Sequence, residues 1–132
     1  MDEVVIRKVL LGYDGSEGAE KAAGLAASVA EKYGAVIVVC HAIGNMPVMA
    51  KPSEVRRLIA PVLDIYAKLG ITTQVAIPDD LPAQGILAAA DEHQADLIVI
   101  GGRGRGTFAN LLLGSTAERV LRYAKVPVLL AR

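Results

Sequence analysis

The residues with the clearest chemical potential form a glycine-rich segment, Gly101-Gly102-Arg103-Gly104, followed after residues 105–113 by Gly114-Ser115-Thr116. The apolar run 96–100 before it predicts a strand, and a helical pattern begins near Ser115. Glycine allows the main chain to turn with a positive φ and lets a ligand approach the backbone closely. The start of a helix adds unpaired N–H donors and a partial positive charge. The segment therefore predicts a phosphate-binding site and makes nucleotide binding the first hypothesis.

The residues Ser115-Thr116-Ala117-Glu118 also fit a capping box, in which the Ser and Glu side chains bond to backbone N–H groups at a helix start. This interpretation gives Ser115 a structural role. It does not exclude phosphate binding, because Gly114, Ser115 and Thr116 still present N–H groups at the start of the helix.

Basic residues accumulate between Gly101 and Lys125, where Glu118 is the only acidic residue. Within the glycine segment, Arg103 and Arg105 could contact phosphate or could simply be solvated. The basic residues near the end of the last predicted helix are interpreted as exposed, solvated side chains; they are Arg119, Arg122 and Lys125.

A second loop with suitable chemistry, Gly12-Tyr13-Asp14-Gly15-Ser16, follows the first apolar run. The Asp14 carboxylate could accept hydrogen bonds from ribose hydroxyls or help to hold Mg²⁺ beside phosphates. A turn or helix-capping role is the alternative. His41, after the second apolar run, is interpreted as structural, and His93 as a surface residue. No nucleophile and base, and no pair of carboxylates, completes a catalytic constellation in the sequence.

The composition describes a chain of 132 residues that we expect to form one domain, 1–132. Its 14 basic and 14 acidic residues balance, which argues against nucleic-acid or membrane partners attracted by net charge. The only cysteine, Cys40, lies in an apolar run and is predicted to be buried. The amino-terminal residues lack the pattern of a signal peptide, and no apolar run approaches the roughly 20 residues of a membrane span, so we expect a cytoplasmic protein.

Apolar and amphipathic runs alternate along the chain and predict strands near 8–13, 35–42, 71–77, 97–100 and 126–131, with helices near 16–33, 53–69, 83–93 and 115–124. Strict alternation implies a parallel sheet with helices on both faces. In such sheets ligands bind beyond the carboxyl ends of the strands, where the strand order reverses. If the first and fourth strands are neighbours, the Asp14 loop and the glycine segment face each other across one crevice.

Two details of the predicted helices depend on single residues. Ser53 is placed to cap the second helix, and Pro61 within it removes a helix hydrogen bond at a cost of about 3 kcal/mol. We therefore expect a kink or a break near Arg57. Tyr33 and Leu69 are expected on the apolar faces of the first and second helices.

Two common nucleotide-binding motifs are absent from the sequence. There is no Gly-x-x-x-x-Gly-Lys-Ser/Thr, which argues against a P-loop NTPase, and no Gly-x-Gly-x-x-Gly after the first strand, which argues against NAD.

The pattern Gly101-x-x-Gly104 followed by Gly114-Ser115 instead resembles the signature of the universal stress protein family, in its ATP-binding branch. The resemblance covers the whole chain. Leu11–Ser16 is similar to the first loop of that family, Val38–Ala42 to its second strand, and Tyr123–Leu130 to its closing helix and strand.

The resemblance implies a doubly wound, five-stranded parallel sheet of order 3-2-1-4-5, of the adenine nucleotide alpha-hydrolase type. It also implies residue roles. The adenine and ribose would be surrounded by Gly12, Asp14 and Ala42, with Ile100 and Gly101 beside them. The phosphates would be held by Gly104, Gly114, Ser115 and Thr116, with Arg103 close by.

Members of the family commonly dimerise through the last strand, and here Val126–Leu130 would otherwise leave an apolar edge exposed. This chain departs from the family pattern in two places. It has Asp80-Leu81-Pro82 where the family often has glycine at the first position, and the connection Ile43–Pro52 is short, which is expected to leave the crevice more open.

The leading hypothesis is a small homodimeric regulator of the stress response that binds ATP, with Mg²⁺ carried by the nucleotide, and hydrolyses it slowly at most. One alternative is a sensor of AMP or cyclic AMP, and another is an interaction module independent of nucleotide. An ATP pyrophosphatase of related topology is a distant enzyme alternative, since its Ser-Gly-Gly-x-Asp-Ser loop is only faintly echoed by Asp14-Gly15-Ser16.

Overall fold

Strands and helices alternate along the chain in the computed structural model, which describes residues 1–44, 51–103 and 113–132. The strands form one parallel sheet of order β3-β2-β1-β4-β5, which confirms the predicted fold class and topology. Most strands are slightly shorter than predicted. The elements are β1 (Lys8–Gly12), α1 (Glu17–Tyr33), β2 (Val36–Cys40), α2 (Pro52–Lys68), β3 (Thr73–Ala76), α3 (Pro82–Glu92), β4 (Leu97–Gly101), α4 (Ser115–Tyr123) and β5 (Val128–Ala131).

The central strand β1 is buried on both faces, as expected for a parallel sheet covered by helices. Val9 and Leu11 belong to a core that includes α1 and α2, whereas Leu10 belongs to a core that includes α3 and α4. Since apolar side chains fill both faces, the open region near β1 lies at the ends of the strands. Within the described residues, no helix is long and apolar enough to cross a membrane.

Helix α1 presents a narrow face of small residues to the sheet. Ser16 caps its start by accepting a hydrogen bond from the Ala19 N–H at 3.2 Å, and Gly34 ends it with φ 65°. Tyr33, which was predicted to be buried, is 47% exposed. Tyr33 is the last helical residue, and the buried residues of the helix are all alanines: Ala19, Ala22, Ala23, Ala26, Ala27 and Ala30.

Helix α2 runs without interruption from Pro52 to Lys68, so the predicted break near Arg57 is wrong. Pro61 is exposed, and the buried stripe of α2 continues past it. Burial of that stripe offsets the cost of the missing hydrogen bond, since each buried aliphatic side chain contributes about 1.5–3 kcal/mol. The stripe consists of Val55, Ile59, Val62 and Tyr66.

The ends of α2 also differ from the prediction. Lys51 takes the N-cap position and Pro52 the first helical position, so Ser53 does not cap the helix. Proline suits that first position because its φ is already helical and its missing N–H would have no helical partner. Leu69 at the other end is 46% exposed, because the chain leaves the helix there.

Candidate functional site

A cavity of about 350 Å³ opens at the carboxyl end of the sheet, beside β1 and β4. These two strands are hydrogen-bonded neighbours, although α1, β2, α2, β3 and α3 separate them in sequence. The loops after β1, β2 and β4 line the cavity together with the first residues of α3 and α4. The predicted crevice at the reversal of strand order is therefore present.

Most of the sequence-predicted site residues meet at this cavity. Gly104, with the neighbouring Arg105, lies outside the described residues. The predicted residues that line the cavity are Gly12, Asp14, Ala42, Ile100, Gly101, Arg103, Gly114, Ser115 and Thr116.

Gly12, at the end of β1, lies too close to the cavity wall to carry a side chain. A Cβ at this position would lie 2.8 Å from Ile100 Cγ2 and 2.9 Å from Ile86 Cδ1. Both isoleucines line the cavity, so the absence of a side chain at Gly12 lets them form an apolar wall. Sequence reasoning identified Gly12 and Ile100 but missed Ile86, which is one of several apolar residues on its helix.

Asp14 holds the turn between β1 and α1. Its Oδ1 accepts a hydrogen bond from the Ser16 N–H at 2.9 Å, and Gly15 between them has φ 78°. The turn role that the sequence offered as an alternative is thus present, and the carboxylate also lines the cavity. One oxygen of the carboxylate serves the turn, so any role toward ribose or a metal has to be compatible with that bond.

Asp14 is also the only acidic side chain among the described residues that line the cavity. The described part of the chain contains no group of three or more His, Cys, Asp or Glu residues that could hold a metal ion by itself. Mg²⁺ commonly binds through one or two carboxylates plus phosphate oxygens and water. The residues present therefore fit a magnesium ion that is held mainly by a phosphate ligand.

His41 fastens the end of β2 to the loop that follows β1. Its Nδ1 lies 2.7 Å from the carbonyl oxygen of Tyr13, and the Tyr13 N–H donates to the Cys40 carbonyl at 2.9 Å. A carbonyl oxygen can only accept, so Nδ1 carries the proton. His41 is 7% exposed, and its Nε2 is buried without a partner in the structure as described. These contacts agree with the structural role predicted for His41.

Helix α3 closes another side of the cavity by packing directly on the end of β2. A Cβ at Gly85 would lie 2.8 Å from the Ala42 Cβ and 2.9 Å from Pro78 Cγ. Only glycine at position 85 lets α3 approach Ala42 this closely. Sequence reasoning missed Gly85, because an isolated glycine in a helix gives no indication of what it approaches.

The loops after β2 and β3 are joined near the same edge. The Gly44 N–H donates to the Asp80 carbonyl at 2.8 Å, and the Ile43 N–H donates to the Pro78 carbonyl at 3.0 Å. Asp80, which replaces the glycine that the resemblance led us to expect, therefore pairs through its backbone with Gly44.

The start of α4 differs from the predicted capping box. Gly114, not Ser115, is the N-cap residue, and no side chain caps the helix. The Gly114 N–H donates to the Gly102 carbonyl at 2.7 Å, which fixes the cap one residue earlier than predicted. Glu118 pairs instead with Arg122, one turn further along the helix.

The start of α4 brings backbone N–H donors to the cavity. The first intrahelical bond of α4 runs from the Glu118 N–H to the Gly114 carbonyl. The N–H groups of Ser115, Thr116 and Ala117 have no partner within the part of the chain that the structure describes, and all three residues line the cavity. A helix start of this kind is suited to binding an anion.

Helices α1 and α3 also begin at this cavity, but their first turns differ from that of α4. The start of α1 is capped by Ser16, and α3 begins with Pro82, which has no N–H to donate. Both still add the partial positive charge of a helix N-terminus. Among the described helix-start residues that line the cavity, those of α4 are the ones whose N–H groups have no described partner.

Cationic side chains near α4 fall into two groups. Arg103 lines the cavity and is exposed. The three basic residues towards the end of α4 are also exposed and do not line the cavity, as predicted; they are Arg119, Arg122 and Lys125.

The cavity wall includes the thiol of Cys40, which is unreactive. Burial raises the pKa of Cys40 from its ordinary 9.0 to about 12. Since the thiolate is the nucleophilic form, Cys40 is unreactive at neutral pH. Among the described lining residues, none forms a nucleophile with an adjacent general base.

The comparisons with known proteins agree with this geometry. The model of the universal stress protein family matches residues 6–132. The chain is 36% identical over 137 residues to a universal stress protein of Thermus aquaticus, an alignment that covers 97% of this chain and 100% of that protein. It is 33% identical over 136 residues to universal stress protein Rv2623 of Mycobacterium tuberculosis, which covers 94% of this chain but only 44% of that longer protein.

Solved structures show the same fold. A universal stress protein crystallised in complex with cAMP is 27% identical, with a TM-score of 0.78 and 98% of each chain covered. A universal stress protein from Archaeoglobus fulgidus is 26% identical, with a TM-score of 0.79 and coverage of 98% of this chain and 100% of that one. The match to the family model over nearly the whole chain, together with these relatives, shows that this chain belongs to the universal stress protein family.

Proposed function

We propose that this chain, acting as one cytoplasmic domain, is an ATP-binding regulator whose cavity beside β1 and β4 holds the nucleotide. The observation that carries the proposal is the start of α4, which no side chain caps and whose N–H groups without a described partner belong to residues that line the same cavity as the apolar wall. One end of the cavity suits phosphate, and the other suits a flat base.

The phosphate end consists of backbone donors and one cation. The N–H groups of Ser115, Thr116 and Ala117 lie at the positive end of the α4 dipole, and Arg103 lines the cavity beside them. Donors of this kind bind phosphate oxygens by charge-assisted hydrogen bonds, which are stronger than neutral ones.

The base end is narrow and apolar. Ala42, Ile86 and Ile100 line it, and Gly12 keeps it open. A cavity of about 350 Å³ falls within the range of ordinary small-ligand sites. A purine would bury its faces against these aliphatic side chains.

Asp14, in the loop after β1, lines the cavity, where either of two roles would be useful. Its carboxylate could accept a hydrogen bond from a ribose hydroxyl, or it could complete the coordination of a Mg²⁺ ion brought by the phosphates. These roles differ in their dependence on magnesium, which makes them separable by experiment.

We propose that the protein binds the nucleotide without consuming it and hydrolyses it slowly at most. Phosphoryl transfer needs a group that orients the attacking water and cations that stabilise the transition state. Among the described lining residues, Asp14 is the one carboxylate, and one of its oxygens is already bonded to the Ser16 N–H. The site therefore suits a switch that responds to occupancy.

A second candidate function is a sensor of AMP or cyclic AMP. The related universal stress protein in complex with cAMP, at 27% identity, supports an adenine nucleotide as the ligand class and favours this alternative. The number of free donors at α4 supports a longer phosphate chain, so the two candidates differ in whether affinity rises with added phosphates.

We also propose that the protein is a homodimer that forms through β5. This strand is at the edge of the sheet, with β4 on one side only, and its apolar residues Val128, Leu129 and Leu130 are only partly buried. An unpaired apolar edge is a template for pairing with a second chain. Val126 and Pro127 precede the strand and extend the proposed contact to 126–130.

The proposal is tested by analysing the ligand that freshly purified protein releases on heating, together with calorimetric titration with ATP, AMP and cyclic AMP in Mg²⁺. We expect an adenine nucleotide in the released material and the highest affinity for ATP. Absence of both released nucleotide and ATP binding would disprove nucleotide binding. A preference for AMP or cyclic AMP over ATP would favour the sensor.

A variant locates the site within the protein. We expect Gly114→Val to abolish ATP binding, because a branched side chain would occupy the space where phosphate meets the backbone. Gly24→Val, on the exposed side of α1, is the control, since nothing lies within 4 Å of a Cβ there. Unchanged ATP affinity in Gly114→Val, with cooperative unfolding, would place the phosphate elsewhere.

A further inference from the structure

Two glycines bring the backbones of α1 and β4 into direct contact next to the cavity. A Cβ at Gly18 would lie 2.5 Å from the carbonyl oxygen of Arg103, and a Cβ at Gly101 would lie 2.7 Å from the carbonyl carbon of Gly18. Both separations are shorter than real Cβ contacts, and the obstructing atoms belong to the backbone. The chains can cross this closely only because neither glycine has a side chain.

The crossing controls the geometry of the segment that leads to α4. Gly102 lies between the two contact points, and its N–H donates to the Ala131 carbonyl at 2.8 Å. Its own carbonyl accepts from the Gly114 N–H at 2.7 Å, so Gly102 links β4, β5 and the N-cap of α4. A shift of residues 101–103 would therefore move the backbone donors at the start of α4.

We infer that Gly18 is a positioning residue for the phosphate end of the cavity, an inference that rests on the proposed nucleotide binding. Gly18 does not line the cavity itself. It acts by allowing the first turn of α1 to support the backbone of Arg103, which in turn sets the position of Gly102 and the α4 N-cap. At the base end of the cavity, a Cβ at Gly12 would meet the side chains of Ile100 and Ile86 and not the backbone atoms of this crossing.

The substitution Gly18→Ala follows directly from this geometry. Its methyl group meets a backbone oxygen, so relief requires α1 and residues 101–103 to separate. Alanine favours helix over glycine, and we therefore expect the variant to fold. We expect ATP affinity to fall roughly tenfold or more, as when a charge-assisted hydrogen bond is lost, while adenosine affinity stays within about twofold.

The matched control is Gly24→Ala, which makes the same change six residues along the same helix, where nothing lies within 4 Å of the new Cβ. Calorimetric titration of ATP and of adenosine into both variants and the unmodified protein gives the ratio of the two affinities. A ratio lowered in Gly18→Ala alone is the expected result. An ATP-to-adenosine ratio equal to that of Gly24→Ala would overturn the inference.

A second variant approaches the same crossing from β4. Gly101→Ala directs its methyl group at the backbone of Gly18 and, since Gly101 also lines the cavity, is expected to lower ATP affinity at least as much as Gly18→Ala does. Equal losses of ATP and adenosine affinity in both variants would show that the crossing supports the whole cavity, and would overturn its assignment to the phosphate end.

A ligand-free measurement separates the failure of this inference from the failure of the proposed function. Amide hydrogen exchange of Gly114 reports its bond to Gly102 whether or not any nucleotide binds. We expect faster exchange at Gly114 in Gly18→Ala than in Gly24→Ala, with Leu10 in the core unchanged. If the unmodified protein binds neither ATP nor adenosine, the proposed function fails; if Gly114 exchange is equal in the two variants, the positioning role of Gly18 fails.

Discussion

The Nδ1 atom of His41 lies 2.7 Å from the carbonyl oxygen of Tyr13, so that one buried side chain fastens the loop after β1 to the end of β2. Asp14 follows Tyr13 in the chain and Ala42 follows His41, and both Asp14 and Ala42 line the cavity. The hydrogen bond thus fixes the distance between two parts of the candidate nucleotide site.

The first prediction concerns this bond. His41→Ala removes the hydrogen bond to the Tyr13 carbonyl and leaves space beside the cavity, so we expect unfolding free energy to fall by about 2 kcal/mol. Urea unfolding measures the change. His93→Ala is the control, because the His93 Nδ1 lies 3.3 Å from Gln74 Oε1 in an exposed contact, and its loss should cost less than about 0.5 kcal/mol. Equal losses in the two variants would contradict the role assigned to His41.

The second prediction separates the two roles proposed for Asp14. Asp14→Asn keeps an oxygen that can accept from the Ser16 N–H, so the turn should survive. If the carboxylate helps to hold Mg²⁺, the variant loses the magnesium dependence of ATP affinity and keeps its affinity for adenosine. If it bonds to ribose, both affinities fall roughly tenfold in the presence or absence of Mg²⁺. Unchanged binding under all conditions would exclude both roles.

The third prediction concerns the apolar wall. Gly12→Ala places a methyl group 2.8 Å from Ile100 Cγ2 and 2.9 Å from Ile86 Cδ1, so these side chains must shift. We expect adenosine and ATP affinities to fall together, by roughly tenfold, because the base contacts are common to both ligands. Calorimetry with the two ligands measures this. A selective loss of ATP affinity would contradict the assignment of Gly12 to the base end.

The fourth prediction concerns the response to alkaline pH. Burial raises the pKa of Cys40 from its ordinary 9.0 to about 12, so above pH 9 the unfolded chain releases a proton that the folded chain retains. Unfolding is therefore increasingly favoured between pH 9 and pH 12, and the contribution of Cys40 approaches about 1.4 kcal/mol per pH unit.

Denaturant unfolding at pH 8, 9 and 10 measures this dependence, with Cys40→Ala as the comparison. Tyr66 also has a raised pKa, through burial and through Tyr13 and Glu20, and it adds to the slope in both proteins at higher pH. We expect a shallower decline in Cys40→Ala between pH 9 and pH 10. Parallel curves for the two proteins would show that the Cys40 thiol does not contribute.

The fifth prediction tests the proposed dimer. The Pro127 and Ala131 carbonyls accept bonds from β4 and the segment after it, so by alternation the N–H of Leu130 points to the free edge of β5. Leu130→Pro removes that outward donor and should convert the dimer into a monomer with the sheet intact. Light scattering gives the mass and circular dichroism checks the fold. A folded Leu130→Pro variant that remains dimeric would place the interface elsewhere.

The fold was predictable because it follows from short sequence patterns that recur along the chain. Runs such as Val36–Cys40 and Leu97–Gly101 are apolar without interruption, which is typical of strands covered on both faces. Their alternation with helical runs leaves few ways to wind the sheet. Helix α2 was less predictable, because the effect of Pro61 depends on the packing of its neighbours against the sheet.

The site was predictable where glycine spacing and strand ends carry the information, as at Gly101 and Gly114. The cap of α4 was wrong by one residue, because Ser-x-x-Glu has the same spacing whether serine is the cap or the first helical residue. Gly18 and Gly85 were missed for a different reason. What each glycine approaches, Arg103 in one case and Ala42 in the other, is distant in sequence, so the need for glycine becomes visible only in three dimensions.

No side chain caps the start of α4. Under the proposed function, the bound nucleotide caps this helix in place of a side chain. Ligand that binds only the folded chain adds to its stability with the logarithm of its concentration, about 2.7 kcal/mol at 100 times the dissociation constant. The unfolding free energy of this chain would then depend on the concentration of ATP in the cell. A fall in nucleotide concentration would lower the unfolding free energy of this chain.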